Sequence, residues 1–175
     1  LVERELAGAG IETITGCSQI AFRAGRLHAA GKPVAEPGLV LVATGGVPPP
    51  FLAATSLGVD AGGHLLVDRF LRSTSHPAVS GAGDCIAVVG RPGLSRSGVA
   101  AVRQGPVLAR NLRAALNGQS EQALQIYTPQ SRALALISTG ERHAIASWGP
   151  LAFHGNWVWR WKDSIDRAFM GRYRD

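Results

Sequence analysis

Three short stretches of this 175-residue chain carry residue types at spacings that could hold an anionic ligand. Residues 76–84 read HPAVSGAGD and close on a Gly-x-Gly-Asp turn. Its glycines let the backbone approach a ligand closely, and Asp84 offers a carboxylate acceptor. Open α/β sheets place their ligand contacts at the carboxyl ends of strands, which is where an apolar strand running into this turn would leave Asp84. Residues 97–111 read SGVAAVRQGPVLARN and predict a helix with Ser97 as its N-cap. The unsatisfied N–H groups of a first helical turn carry partial positive charge, and Gly98 has no side chain to obstruct them. Residues 39–45 read LVLVATG, an apolar run that predicts a strand buried on both faces and stopped by Gly45 and Gly46. Each feature alone is commonplace, as a turn, an N-cap or a strand end. Their order and spacing give them meaning.

Other chemistries find less support. Cys17 and Cys85 form no CxxC pair, and the histidines at 28, 64, 76, 143 and 154 show no metal-ligand spacing, so no metal is expected and the thiols read as reduced and structural. No general acid, base or nucleophile stands out. Gln104 and Arg96 lie near the expected ligand loop, but read as a helix-surface amide and a solvated arginine. Lysine plus arginine outnumber aspartate plus glutamate by 18 to 12, which suits an anionic partner. Nucleic acid is not expected, because neither basic stretch, 91–113 or 160–174, interleaves aromatics with basic residues over a strand surface as single-strand binders do. No apolar run approaches the roughly 20 residues of a membrane-spanning helix, and no charged-then-apolar leader opens the chain, so a cytoplasmic protein is expected.

The elements that must position these residues follow from periodicity. The 22 glycines and 10 prolines argue for many turns and against a helix bundle. Residues 1–7 predict a helix with Gly8 and Gly10 in its C-cap, and residues 19–22 and 26–28 a hairpin around Ala24 and Gly25. Pro48, Pro49 and Pro50 form a rigid connector. Strands are expected at 65–68, at 75–80 and, beyond Gly118, at 125–128, 133–138 and 143–148. The helix from Gly98 should end near Leu116 with Asn117 and Gly118 as its cap, Pro106 either kinking or restarting it. The last element, residues 156–170, predicts an amphipathic helix whose Trp157, Trp161, Ile165 and Phe169 should be buried against protein.

Taken together and in order, the stretches at 39–45, 76–84 and 97–111 resemble the pyridine nucleotide-disulfide oxidoreductase superfamily of flavoproteins. Within it the chain resembles type II NADH dehydrogenases and the oxidoreductase module fused to selenide, water dikinase, the latter likeness resting on residues 134–140 (LALISTG), 143–149 (HAIASWG) and 159–170 (WRWKDSIDRAFM). The resemblance implies an α/β fold: the C-terminal part of a flavoprotein with two dinucleotide-binding domains, then a small antiparallel sheet and a terminal amphipathic helix. By that resemblance, residues 1–46 end the NAD(P)H-binding domain, 47–118 form the C-terminal part of the FAD-binding domain, and 119–175 an interface or membrane-proximal region. FAD would be the cofactor and NAD(P)H the co-substrate, with quinone or another small molecule as electron acceptor. Asp84 would accept hydrogen bonds from the flavin's ribityl hydroxyls, and Gly83 would admit the backbone to the pyrophosphate side. Ser97, Gly98 and Val99 would present N–H groups to the pyrimidine edge, with Thr44 and Gly45 also at the cofactor. A peripheral contact with the cytoplasmic face of a membrane, or a homodimer, would cover the terminal helix. The fingerprint G-x-G-x-x-G is absent, so both nucleotide sites are expected to be incomplete and the chain inactive by itself. The alternative is a non-catalytic interaction or oligomerisation module that keeps the fold without cofactor.

Overall fold

A computed structural model describes residues 1–94, 96–130 and 134–173. It divides into two compact units, one made of residues 1–43 and 132–175, the other of residues 44–131.

In the unit of residues 44–131, β4 (Leu65–Val67) and β5 (Ile86–Val88) pair in parallel, Leu65 opposite Ile86 and Val67 opposite Val88. Alternation along each strand sends these four side chains inward, where they form a core with Leu52, Leu71, Val107 and Tyr127. Over the core lies α2 (Gly98–Leu116), which presents Gln104, Val107, Asn111 and Ala114 as its buried face. That spacing is one stripe of a 3.6-residue period. The helix passes through Pro106 without a break, and Asn117 caps it, followed by Gly118 at φ +65°. Asn111 is the polar centre of the packing. Its Nδ2 donates to the carbonyls of Phe70 and Gln125, each at 2.9 Å, and its Oδ1 accepts the Gln125 N–H at 2.7 Å.

In the unit of residues 1–43 and 132–175, α1 (Val2–Gly8) ends in a Schellman pattern: Ile11 N–H donates to Leu6 O, and Gly10, at φ +71°, to Ala7 O. Next comes an antiparallel meander, β1 (Ala21–Arg23), β2 (Arg26–Ala29) and β3 (Lys32–Ala35). Its two turns, Ala24–Gly25 and Ala30–Gly31, have positive φ at both central residues, the type I′ geometry whose twist suits a two-residue hairpin. A second meander joins β6 (Leu134–Gly140), β7 (His143–Trp148) and β8 (Leu151–Gly155), and α3 (Asn156–Met170) packs on it through Val158 against Ala144 and Ala146.

Several expectations are corrected. Residues 39–44 form no strand, and Leu41 is 85% exposed; among the described residues no neighbouring strand offers them ladder hydrogen bonds, and a strand without a partner does not persist. Residues 75–80 contribute only an isolated antiparallel bridge, Arg72 to Ser80, because Pro77 lacks a donor and the chain turns at Gly81. The strand follows the Gly-x-Gly-Asp turn as β5. Residues 125–128 form no strand; they are held by the Asn111 side chain at Gln125 and by the Tyr127 N–H, which donates to Arg69 O at 2.8 Å. Ala133 lies outside the described residues. The sheet strands β3 and β8 went unforeseen. In α3 the tryptophan face is not covered by the chain's own sheet: Trp157 is 55% exposed while Val158 is fully buried. The sheet beneath offers two small alanines, so it engages only a narrow sector of the helix.

Replacing Asn111 with leucine should cost about 1–3 kcal/mol, since it strands the buried Phe70 carbonyl and releases the Gln125 N–H and carbonyl that the amide now satisfies. Urea unfolding of the purified chain measures this; a variant as stable as the parent would contradict the packing described.

Candidate cofactor-facing site

The turn at residues 81–84 is shaped by what cannot fit. A Cβ on Gly81 would come within 2.8 Å of Ile86 Cγ2 and 2.9 Å of Leu65 Cδ2, so this glycine lets the turn press onto the strand pair. Gly83 stands at φ +85°, and a Cβ there would meet Ala101 at 3.8 Å, in the first turns of α2. The Gly83 N–H donates to Gln104 Oε1 at 2.6 Å. Gln104 is only 2% exposed; it is therefore no surface amide, but the residue that fastens the turn to the helix. No sequence pattern marks it except its place on the stripe shared with Val107 and Asn111.

The expected ligand residues fall into two groups. Gly83 packs against the first turns of α2 at Ala101, with Asp84 next to it in the turn, and Ser97 caps the helix by accepting the Ala100 N–H at 3.4 Å. Gly98 and Val99 follow in the first turn, whose leading N–H groups have no intrahelical partner. Asp84 is exposed, and its carboxylate makes no hydrogen bond or ion pair among the described residues. Thr44 and Gly45 lie on exposed, irregular chain. Their link to the rest runs through Gly46, where a Cβ would stand 3.7 Å from Asp84 Oδ2. Because β5 begins after Asp84, the carboxylate precedes a strand instead of ending one.

Beside this turn opens a cleft of 510 Å³, lined among others by Gly83, Gln104, Ala100, Asp60, Arg91 and Arg96. Arg96 is not freely solvated: it donates to Asp60 Oδ2 and to Ile86 O, each at 3.4 Å. Asp60 also accepts the N–H groups of Gly62 and His64, each at 2.9 Å, and the His64 ring nitrogen Nδ1 at 2.9 Å. Burial opposes the charge on Asp60, but the hydrogen bonds from His64 and Gly62 outweigh it and hold the carboxyl below the ordinary aspartate value.

The residues around Gly83 fit a flavin dinucleotide. The turn has positive φ at Gly83 and lies against α2 at Ala101 and Gln104, Asp84 has no partner among the described residues, and a Cβ on Gly98 at the helix start would meet nothing within 4 Å. Elsewhere, Glu5, His143 and His154 come together from α1, β7 and β8, a grouping that sequence spacing missed because its members come from opposite ends of the chain.

Mixed strands and helices with a parallel pair define an α/β fold. The chain belongs to the pyridine nucleotide-disulphide oxidoreductase family, whose model matches residues 1–105. Among solved structures it is similar to the sulfide:quinone oxidoreductase from the hyperthermophilic bacterium Aquifex aeolicus, with 15% identity and a TM-score of 0.65 over 98% of this chain. The chain spans 44% of that protein's length. No curated protein matches it. Among the described residues, no helix is long and apolar enough to cross a membrane.

Two outcomes follow. Gly83→Ala should destabilise the chain by about 1–2 kcal/mol through left-handed strain alone, as read by urea unfolding. Asp60 stabilises the fold fully above the unfolded aspartate pKa of about 3.9, and that contribution is lost as pH falls through its lower folded value. The stability gap between the parent and Asp60→Asn should therefore be present at neutral pH and close on acidification below about pH 4.

Proposed function

We propose that this chain is the C-terminal part of an FAD-dependent NAD(P)H:acceptor oxidoreductase with a quinone as acceptor, akin to type II NADH dehydrogenases and to the module fused to selenide, water dikinase. Family membership supports the flavin and nicotinamide. The observation that carries the reading is the Gly81–Asp84 turn fastened by Gln104 against the start of α2.

When bound, FAD would take hydride from NAD(P)H and pass electrons to the acceptor. The work of this chain is to position and to tune charge. Asp84 would accept hydrogen bonds from ligand hydroxyls, and Gly83 would leave room for the dinucleotide backbone. The N–H groups of Gly98 and Val99, with Ser97 fixing the helix start, would stabilise negative charge at the ligand's edge. Thr44 and Gly45 would approach from the end of the NAD(P)H-binding part, residues 1–46, with residues 47–118 completing the FAD part. No residue acts as general acid, base or nucleophile in this scheme.

Residues 119–175 would form the interface. On α3 and β8, Phe153, Trp157, Trp161 and Ile165 are exposed, and Trp157 stacks on Trp161 with ring centroids 6.5 Å apart. This face would rest peripherally on the cytoplasmic side of a membrane, near the quinone, or against a second copy of the chain.

In the full-length protein, Asp84→Ala should weaken FAD binding about tenfold to a hundredfold by removing a charge-assisted acceptor; unchanged flavin content and titration affinity would contradict its role. The 175-residue chain purified alone should be colourless and without NADH oxidation, because it carries no G-x-G-x-x-G fingerprint. Retained flavin absorbance would overturn that expectation.

A further inference from the structure

The clustered Glu5, His143 and His154 belong to no part of the flavin scheme. His154 lies on β8 opposite Ile145 of β7, and side-chain alternation puts His143, two residues earlier, on the same face. The two rings meet edge to face, centroids 5.5 Å apart. Glu5 reaches them from α1 with one carboxylate oxygen for each: Oε1 stands 3.2 Å from His154 Nδ1, and Oε2 3.8 Å from His143 Nδ1.

One donor atom from each residue lies within 4.8 Å of the others. A tetrahedral ion with ligands about 2.1 Å away separates those ligands by about 3.4 Å, a value that the two carboxylate–imidazole distances bracket. All three side chains are only partly buried. Glu5 and His143 line an open cleft of 1130 Å³, which gives an ion a way in and a water a place to complete its shell.

The surrounding bonds define the resting state. Thr139 Oγ1 lies 3.0 Å from His143 Nδ1, and Arg4 Nη2 3.4 Å from His154 Nε2. A guanidinium only donates, so His154 accepts at Nε2 and holds its proton at Nδ1, directed to Glu5. An entering ion would displace that proton and turn Arg4 aside. Arg4 thus opposes loading, by charge as well as by hydrogen bonding.

We propose that Glu5, His143 and His154 form a binding site for a divalent transition-metal ion of the zinc, cobalt and nickel class, with solvent in the remaining position. Two imidazoles and one carboxylate suit such borderline ions, whereas calcium and magnesium require oxygen-rich shells and copper(I) favours sulfur.

The test is a Co²⁺ titration of the chelator-treated 175-residue chain, followed by visible absorption, with Zn²⁺ then added as competitor. One equivalent should produce the intense bands of a four-coordinate Co²⁺ site, and Zn²⁺ should abolish them. His143→Ala, His154→Ala and the conservative Glu5→Gln should each weaken binding at least about tenfold, whereas Arg4→Ala should bind no more weakly than the parent. His28→Ala, outside the cluster, should leave the titration unchanged. Zn²⁺ should also raise the thermal midpoint of the parent and not of the ligand variants, which reports on the site even if one variant folds poorly. The proposal is overturned if no saturable one-equivalent site appears, if the ligand variants bind like the parent, or if His28→Ala loses binding equally.

Discussion

The unit of residues 44–131 turns on one short hydrogen bond, from the Gly83 N–H to the buried Gln104 side chain. It rests on two positions that lack side chains. Gly81 lets the turn press onto Ile86 and Leu65, and Gly83 can adopt φ +85°. A buried amide without a partner is costly, so turn and helix are fixed together or not at all. Once they are fixed, the turn that leads to Asp84 is held against α2 through Gly83. Asn111, two turns further along the same stripe, performs the matching task on the far side by holding residues 70 and 125 to the helix.

Much of this was legible in the sequence where local rules decide. The span of α2 and its Asn117–Gly118 ending, the whole of α3 and the strand β7 follow from periodicity and caps, and the Ala24–Gly25 turn from hairpin chemistry. What failed depended on partners distant in sequence. An apolar run such as residues 39–44 is a strand only if another strand lies beside it. The strand β8 could have been found from the Gly149–Pro150 pair, which sits between two alternating stretches and begins with a glycine at φ +58°. Gln104 could not have been found so readily, because glutamine in a helix is usually solvated and only the tertiary fold buries it. The same reason hid the cluster of Glu5, His143 and His154.

Apolar surface is enclosed unevenly along the chain. Val67, Leu71 and Val158 are wholly enclosed, while Leu39, Leu41 and Val42 stand open. Contiguous exposed apolar surface marks contact with something else. On α3 the uncovered side is aromatic and faces away from the alanines of the sheet, so the helix is anchored through one sector and free to engage a second surface through another.

The central claim is that the turn ending at Asp84 and the start of α2 together face the flavin. Amide hydrogen exchange in the full-length protein, with and without FAD, tests it most directly. The account predicts that FAD slows exchange at Asp84 in the turn and at Gly98 and Val99, leading amides for which the helix itself has no partner. Exchange at those amides that is the same in both states, with protection confined to other segments, would contradict it.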